Sequence, residues 1–187
     1  MSHSALTDAG VLTLRSQITQ DTIDPLIDAI LTLNLDGGRE CLRLYVNSPG
    51  GDVDQGFALI DVMRWSRIPI HTTALGTVAS MALLIFMAGA RGHRTVMPHC
   101  SLLSHRFATI TGGNHADLIA ARVQQDLIHR RIVNHYRTTT VLDNDALIES
   151  TVLQSTDRWL TPAEAVAYGI ADHVWSPTTT PGVHHGS

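Results

Sequence analysis

The chain has 187 residues, of which 44% are apolar and 16% charged, and its formal net charge is −4. That size suits one compact domain able to fold without metal or disulfide, and the slight acidity offers no basic field to nucleic acid or an anionic membrane. Two cysteines, Cys41 and Cys100, are too few for a disulfide framework and read as buried free thiols. The longest apolar run, 81–90, is too short to span a bilayer, and the amino terminus lacks a secretory pattern, so a cytoplasmic protein is expected.

Residues 1–10 and 176–187 read as short flexible ends around a single domain over 11–175. A short strand is predicted over 11–14. Ile23, Leu26, Ile27, Ile30, Leu31 and Leu33 then recur at helical spacing over 21–35, with Pro25 in the first turn and Gly37-Gly38 as the stop. A strand over 42–46 leads into the turn Ser48-Pro49-Gly50-Gly51, followed by a helix over 54–66. The next strand, 68–75, is expected to close at Gly76, and 80–90 is an almost uniformly apolar helix, the pattern of one buried on all sides. Short strands over 95–97 and 101–104 precede a long helix over 114–136 and another over 144–153. Thr161-Pro162-Ala163-Glu164 opens a last helix, with Thr161 as N-cap, Pro162 at the first position and Glu164 completing a capping box. Alternating strand and helix units predict an α/β fold with a mostly parallel sheet.

Ser80 stands between a strand and a buried helix, where unpaired backbone N–H groups and the positive end of the helix dipole could stabilise an oxyanion. An N-cap serine is the more ordinary use of that position, and the elbow pattern G-x-S-x-G is absent. Gly50-Gly51 follows the preceding strand either as a simple turn or as a close backbone approach. In a parallel sheet, that loop and Ser80 emerge at the same carboxyl edge, so the Gly51 N–H could be a second oxyanion donor. Among eleven histidines, His105 follows an apolar strand and suits a base, while His129, His135, His173, His184 and His185 read as surface residues. His93 and His99 lack the spaced partners of a metal site. Asp157 reads, taken alone, as a turn aspartate or a partner of Arg158.

Leu44-Tyr45-Val46-Asn47-Ser48-Pro49-Gly50-Gly51, Gly76-Thr77-Val78-Ala79-Ser80-Met81, Ala88-Gly89-Ala90-Arg91-Gly92-His93-Arg94, Ser104-His105 and the run from Thr161 to Asp172 occur in an order and spacing that resemble the ClpP family of serine peptidases. The resemblance spans about 11–174. It implies a ClpP/crotonase-like fold of strand–helix units with a projecting long-helix handle. It makes Ser80 the nucleophile, His105 the base and Asp157 the third member, with the backbone amides of Gly51 and Met81 as the oxyanion hole. It implies a serine endopeptidase that cleaves peptides or unfolded chains through an acyl-enzyme, with no metal or other cofactor. The expected partners are copies of the same chain in seven-membered rings, one or two stacked, and a Clp unfoldase (an AAA+ ATPase) docking on Arg43, Tyr45 and Trp65.

Departures from the family pattern fall on assembly. About ten residues precede the first strand where a longer segment is usual, and Arg43 replaces a common aromatic. Ser155-Thr156 stands where an acid–arginine pair is frequent, and Arg106-Phe107 where Gln-Pro is usual. Two competing readings are a catalytically silent subunit of a mixed ring and a crotonase-type acyl-CoA enzyme. Serine–lysine chemistry is excluded, because every one of the 13 basic residues counted as Lys or Arg is an arginine.

Overall fold

A computed structural model describes residues 3–107 and 112–177, with the side chains of residues 3 and 4 excepted. A short helix, α1 (His3–Asp8), falls within the segment read as a flexible end. The tail residues 178–187, with His184 and His185, lie outside the described residues. After α1 come β1 (Val11–Leu14), α2 (Gln20–Asp36), β2 (Leu42–Ser48), α3 (Val53–Trp65), β3 (Ile70–Ala79) and α4 (Met81–Met87). They are followed by β4 (Arg94–Val96), β5 (Ser101–Ser104), α5 (His115–Thr139), α6 (Asp145–Thr151), β6 (Arg158–Leu160), α7 (Pro162–Ala167) and β7 (His173–Val174).

The strands form one sheet in the order β1-β2-β3-β4-β7, and β5 joins the far half of β3 and carries β6. Every pairing is parallel except β5 with β6. The fork arises because β3 runs on through Gly76, where the sequence suggested a stop. Its first half pairs with β4 through Thr72, Thr73 and Ala74, and its second half pairs with β5 through Thr77, Val78 and Ala79. At the fork the register with β2 shifts between Val46 and Ser48, and the Asn47 side chain accepts the Thr77 N–H at 3.1 Å. Gly76 adopts φ 53° there, a conformation that glycine takes without a Cβ clash.

Along β2, Leu42, Leu44 and Val46 are buried while Arg43 and Asn47 are exposed, the period-two pattern of a sheet with one packed face. Helices α2, α3 and α4 pack together on the buried side. All seven residues of α4 are buried, so the uniformly apolar run is a core helix, shorter than the run itself. Pro25 lies in the second turn of α2, because the helix starts at Gln20. The backbone carbonyl it leaves unpaired belongs to exposed Asp21, where water can serve it. α5 has 25 residues, yet its buried ones (Ile128, Ile132, Val133, His135 and Tyr136) all lie toward its carboxyl end. Its first half projects as a handle that exposes Leu118, Ile119, Val123 and Leu127. The Thr161 capping box forms as the sequence predicted.

A buried ion pair fastens the end of the chain to this core. Arg94, 4% exposed, donates to Asp172 and to the Thr139 carbonyl at the end of α5. Burial alone would raise the Asp172 carboxyl, but the hydrogen bonds and charge of Arg94 outweigh it and hold it below the ordinary carboxylate range. Cys100 is buried, which pushes its thiol up to about 11, whereas Cys41 is only half-buried. Among the described residues, no helix is long and apolar enough to cross a membrane.

Candidate active site

β2, β3 and β5 are parallel, so their carboxyl ends share one edge, and antiparallel β6 begins at that edge. The spatial order β2-β3-β5-β6 therefore sets the loop at Gly51, then Ser80, His105 and Asp157 in a row. Register fixes the neighbours: Ala79 lies opposite Leu103, and Ser104 opposite Arg158. Each polar residue is the first beyond the last paired position, or the last before the first.

Ser80 has φ 56° and ψ −127°, and it is the one non-glycine residue with positive φ among those described. Such a conformation costs on the order of 1–3 kcal/mol and persists only when its surroundings enforce it. Here the Ser80 N–H donates to the Leu103 carbonyl at 2.9 Å, and buried α4 follows at once. The hydroxyl makes no capping bond, so the ordinary N-cap role does not hold. Instead Ser80 Oγ lies 2.8 Å from His105 Nε2. Asp157 is further away, with Oδ1 4.0 Å from His105 Nδ1 and its side chain 62% exposed. That separation exceeds a hydrogen bond. Asp157 does not pair with Arg158, whose ion-pair partner is Glu164.

The glycine loop presses on the serine from the other side. A Cβ on Gly50 would stand 2.8 Å from Ser80 Cβ and 2.7 Å from the Ala79 carbonyl, so only glycine permits this approach. Gly51, at φ 148°, bridges Ile18, and a Cβ there would meet the Ile18 carbonyl at 2.4 Å. Ile18 donates to the Gly50 carbonyl and accepts from the Asp52 N–H. Among the described residues, the N–H groups of Gly51 and Met81 donate to no protein acceptor. Both are available to a developing oxyanion.

Beside Ser80 and His105 lies an apolar pocket walled by Met81, Leu84, Ile132, Leu153, Val53 and Phe107. Its polar wall groups are already satisfied: the Ser104 hydroxyl bonds Tyr136 Oη and donates to the Val152 carbonyl. Burial pushes the Tyr136 phenol up to about 12, so it stays neutral. Among the described residues, no group of three or more His, Cys, Asp or Glu is placed to hold a metal ion.

One histidine departs from its expected place. His135, read as a surface residue, is 2% exposed. Its Nε2–H donates to the Leu84 carbonyl of α4 at 2.9 Å, and its Nδ1 accepts from Arg64 Nη2 at 2.9 Å. Burial first, and then the Arg64 charge, push its pKa down to about 4. It ties α5 to the helix that begins beside Ser80. The signal was present in the sequence: Ile128, Ile132, His135 and Tyr136 share one helical stripe. His129 is half-exposed and pairs with Glu149 at 3.1 Å.

Of the residues expected to dock an unfoldase, Arg43 and Tyr45 share the face of β2 turned away from the helices, while Trp65 is exposed at the last position of α3. Arg43 lies opposite His71, whose ring stacks on His93 at 3.8 Å. Burial, then the His93 and Arg43 charges, keep His71 below the ordinary histidine range.

A strained serine bonded to an imidazole, beside two unpaired amides at a sheet edge, has the composition of a serine-hydrolase centre. The profile of the Clp protease family matches residues 1–178. The chain is 32% identical over 166 residues to the ATP-dependent Clp protease proteolytic subunit 2 of Nocardia farcinica, covering 89% of this chain and 80% of that one. It is 30% identical to the subunit 2 of Rhodococcus jostii, covering 92% and 87%, and 29% identical to the subunit 1 of Mycobacterium bovis, covering 92% and 84%. The chain belongs to the Clp protease family, and it is a serine-type peptidase.

Proposed function

We propose that this chain is an endopeptidase in which Ser80 attacks the scissile carbonyl, His105 serves as base and Asp157 orients the imidazole. The observation that carries this reading is the 2.8 Å contact between Ser80 Oγ and His105 Nε2. The serine proton passes to Nε2 as the Oγ–carbon bond forms, and the carbonyl oxygen becomes an oxyanion facing the amides of Gly51 and Met81. Each such donor contributes about 3 kcal/mol to the transition state. The imidazolium then gives its proton to the leaving amine, and water, deprotonated by the same histidine, releases the acyl group. The apolar pocket takes the side chain on the acyl side of the cleaved bond.

The same reading assigns residues 11–175 to one peptidase domain and places the sites inside a cytoplasmic, ring-shaped chamber of seven subunits, single or stacked in pairs. The relatives are named as proteolytic subunits of an ATP-dependent protease, which supports an unfoldase docking at Arg43, Tyr45 and Trp65. The exposed stripe Ile119, Val123 and Leu127 on α5 is consistent with further burial between subunits. A solution mass of at least one ring is expected, and a stable monomer at micromolar concentration would contradict it.

The deciding experiment is labelling with a fluorophosphonate probe followed by peptide mapping. An adduct on Ser80 that vanishes in His105→Ala is expected. No adduct on folded, oligomeric protein would favour the silent-subunit reading, to which the 4.0 Å gap at Asp157 lends its one support.

A further inference from the structure

The pocket beside Ser80 holds about 20 Å³ of free space, room for roughly one water molecule. A leucine or phenylalanine side chain does not enter a space of that size unless a wall moves. Most of the walls cannot move cheaply. Met81, Leu84, Ile132, Tyr136 and Leu153 are each 6% exposed or less and belong to the main core. Met81 and Leu84 sit on all-buried α4, and Tyr136 is locked through Ser104. Only Val53 and Phe107 are half-buried apolar walls at the rim. Val53 opens α3 and is fixed by a helix whose N-cap, Asp52, accepts the Gln55 N–H. Phe107 lies outside any strand or helix, two residues after His105, and of the two it carries the larger side chain.

We infer that Phe107 sets the size of side chain accepted next to the cleaved bond, by occupying space that a bulky apolar residue would otherwise fill. This rests on the proposed role of Ser80 and His105. With Phe107 in place, a methyl group fits, and larger side chains must displace the ring. Each methylene accommodated or refused in such a pocket changes kcat/KM by about tenfold or more.

The test compares peptides that differ only in alanine or leucine at the residue preceding the cleaved bond. The readout is the ratio of their kcat/KM values, which cancels any general loss of activity. In Phe107→Ala the leucine-to-alanine ratio should rise at least tenfold over the native protein, and in Phe107→Leu it should rise by less. A ratio within twofold of native in both variants, each shown folded by its melting temperature, would overturn the inference. Failure of the underlying assignment looks different: hydrolysis by the native protein would then survive Ser80→Ala.

Discussion

Ser80 and His105 stand 2.8 Å apart, whereas Asp157 stops 4.0 Å short of the same imidazole. The difference follows from what holds each residue. Ser80 joins a ten-residue strand to a helix buried at every position, and His105 extends a strand paired on both sides. Asp157 lies in the bend between α6 and β6, and β6 is a three-residue edge strand. Segments with exposed backbone and few buried contacts have the lowest local stability. Ser80 and His105 are thus held by the core, and Asp157 is carried by the surface. That contrast predicts a graded response to mutation.

The largest effect belongs to the anchored pair. Ser80→Ala and His105→Ala should each lower kcat by about 10⁴-fold or more, and the double variant should be no worse than either single one, since the two act as a unit. Steady-state peptide hydrolysis measures this. A double variant much slower than both singles would show that the residues work independently.

Asp157→Asn should be milder, losing one to two orders of magnitude less in kcat than His105→Ala. In the proposed triad the carboxylate closes about 1 Å to bond Nδ1 and acts through the histidine without touching substrate. Equal losses in the two variants would mean that Asp157 closes fully in the working enzyme and that its loose position is confined to the free chain.

The third effect concerns the anchoring of α4 itself. His135 holds the Leu84 carbonyl, and its pKa in the folded protein is about 4, below the ordinary 6.5. As pH falls below 6.5 the unfolded chain takes up this proton, while the folded chain stays neutral until pH nears 4. Stability is therefore complete above about pH 6.5 and falls through the window down to 4, by about 3 kcal/mol from this group. Denaturant melts at pH 7 and pH 4.5 would show it, and His135→Leu should flatten the slope relative to the native protein. An unchanged slope would mean that the proton is accommodated and that α4 has another anchor.

The same contrast explains what could be read from the amino-acid order. Strands β1 and β5 and the Thr161 capping box were legible because their signals are local: alternation, an apolar run, a cap three residues from its glutamate. The pairing of Ser80 with His105 was legible only through the resemblance to the ClpP family, since taken alone Ser80 reads as an N-cap and His105 as one histidine among eleven. The fork at Gly76 was not legible, because a glycine that ends a strand and one that passes it to a new neighbour look alike until the partner strand is known. Burial of His135 is harder to read, because a histidine on a long polar helix suits the surface equally well. Its fate depended on Leu84 and Arg64, which lie 51 and 71 residues away in sequence. Nor could spacing give the gap at Asp157, which depends on how an edge strand lies on β5.

The smallest expected effect tests whether the bend at Asp157 is held by its neighbouring ion pair or by the strand beyond. Arg158 bonds Glu164 at 2.8 Å, but the two side chains are 32% and 37% exposed. Solvent screening should keep the pair's contribution to stability below about 1 kcal/mol. Glu164 would still accept from the Thr161 N–H and hydroxyl at 2.9 and 2.8 Å, so α7 keeps its cap. β6 would still be paired with β5 through Leu160, Trp159 and residue 158 itself, because those ladder bonds are made by the backbone. Arg158→Ala should therefore leave the melting temperature within a few degrees of native and peptide hydrolysis within about twofold. A tenfold fall in kcat with KM and stability unchanged would show that the ion pair sets the distance between Asp157 and His105, and the adjustable member of the site would then extend to Arg158 and Glu164.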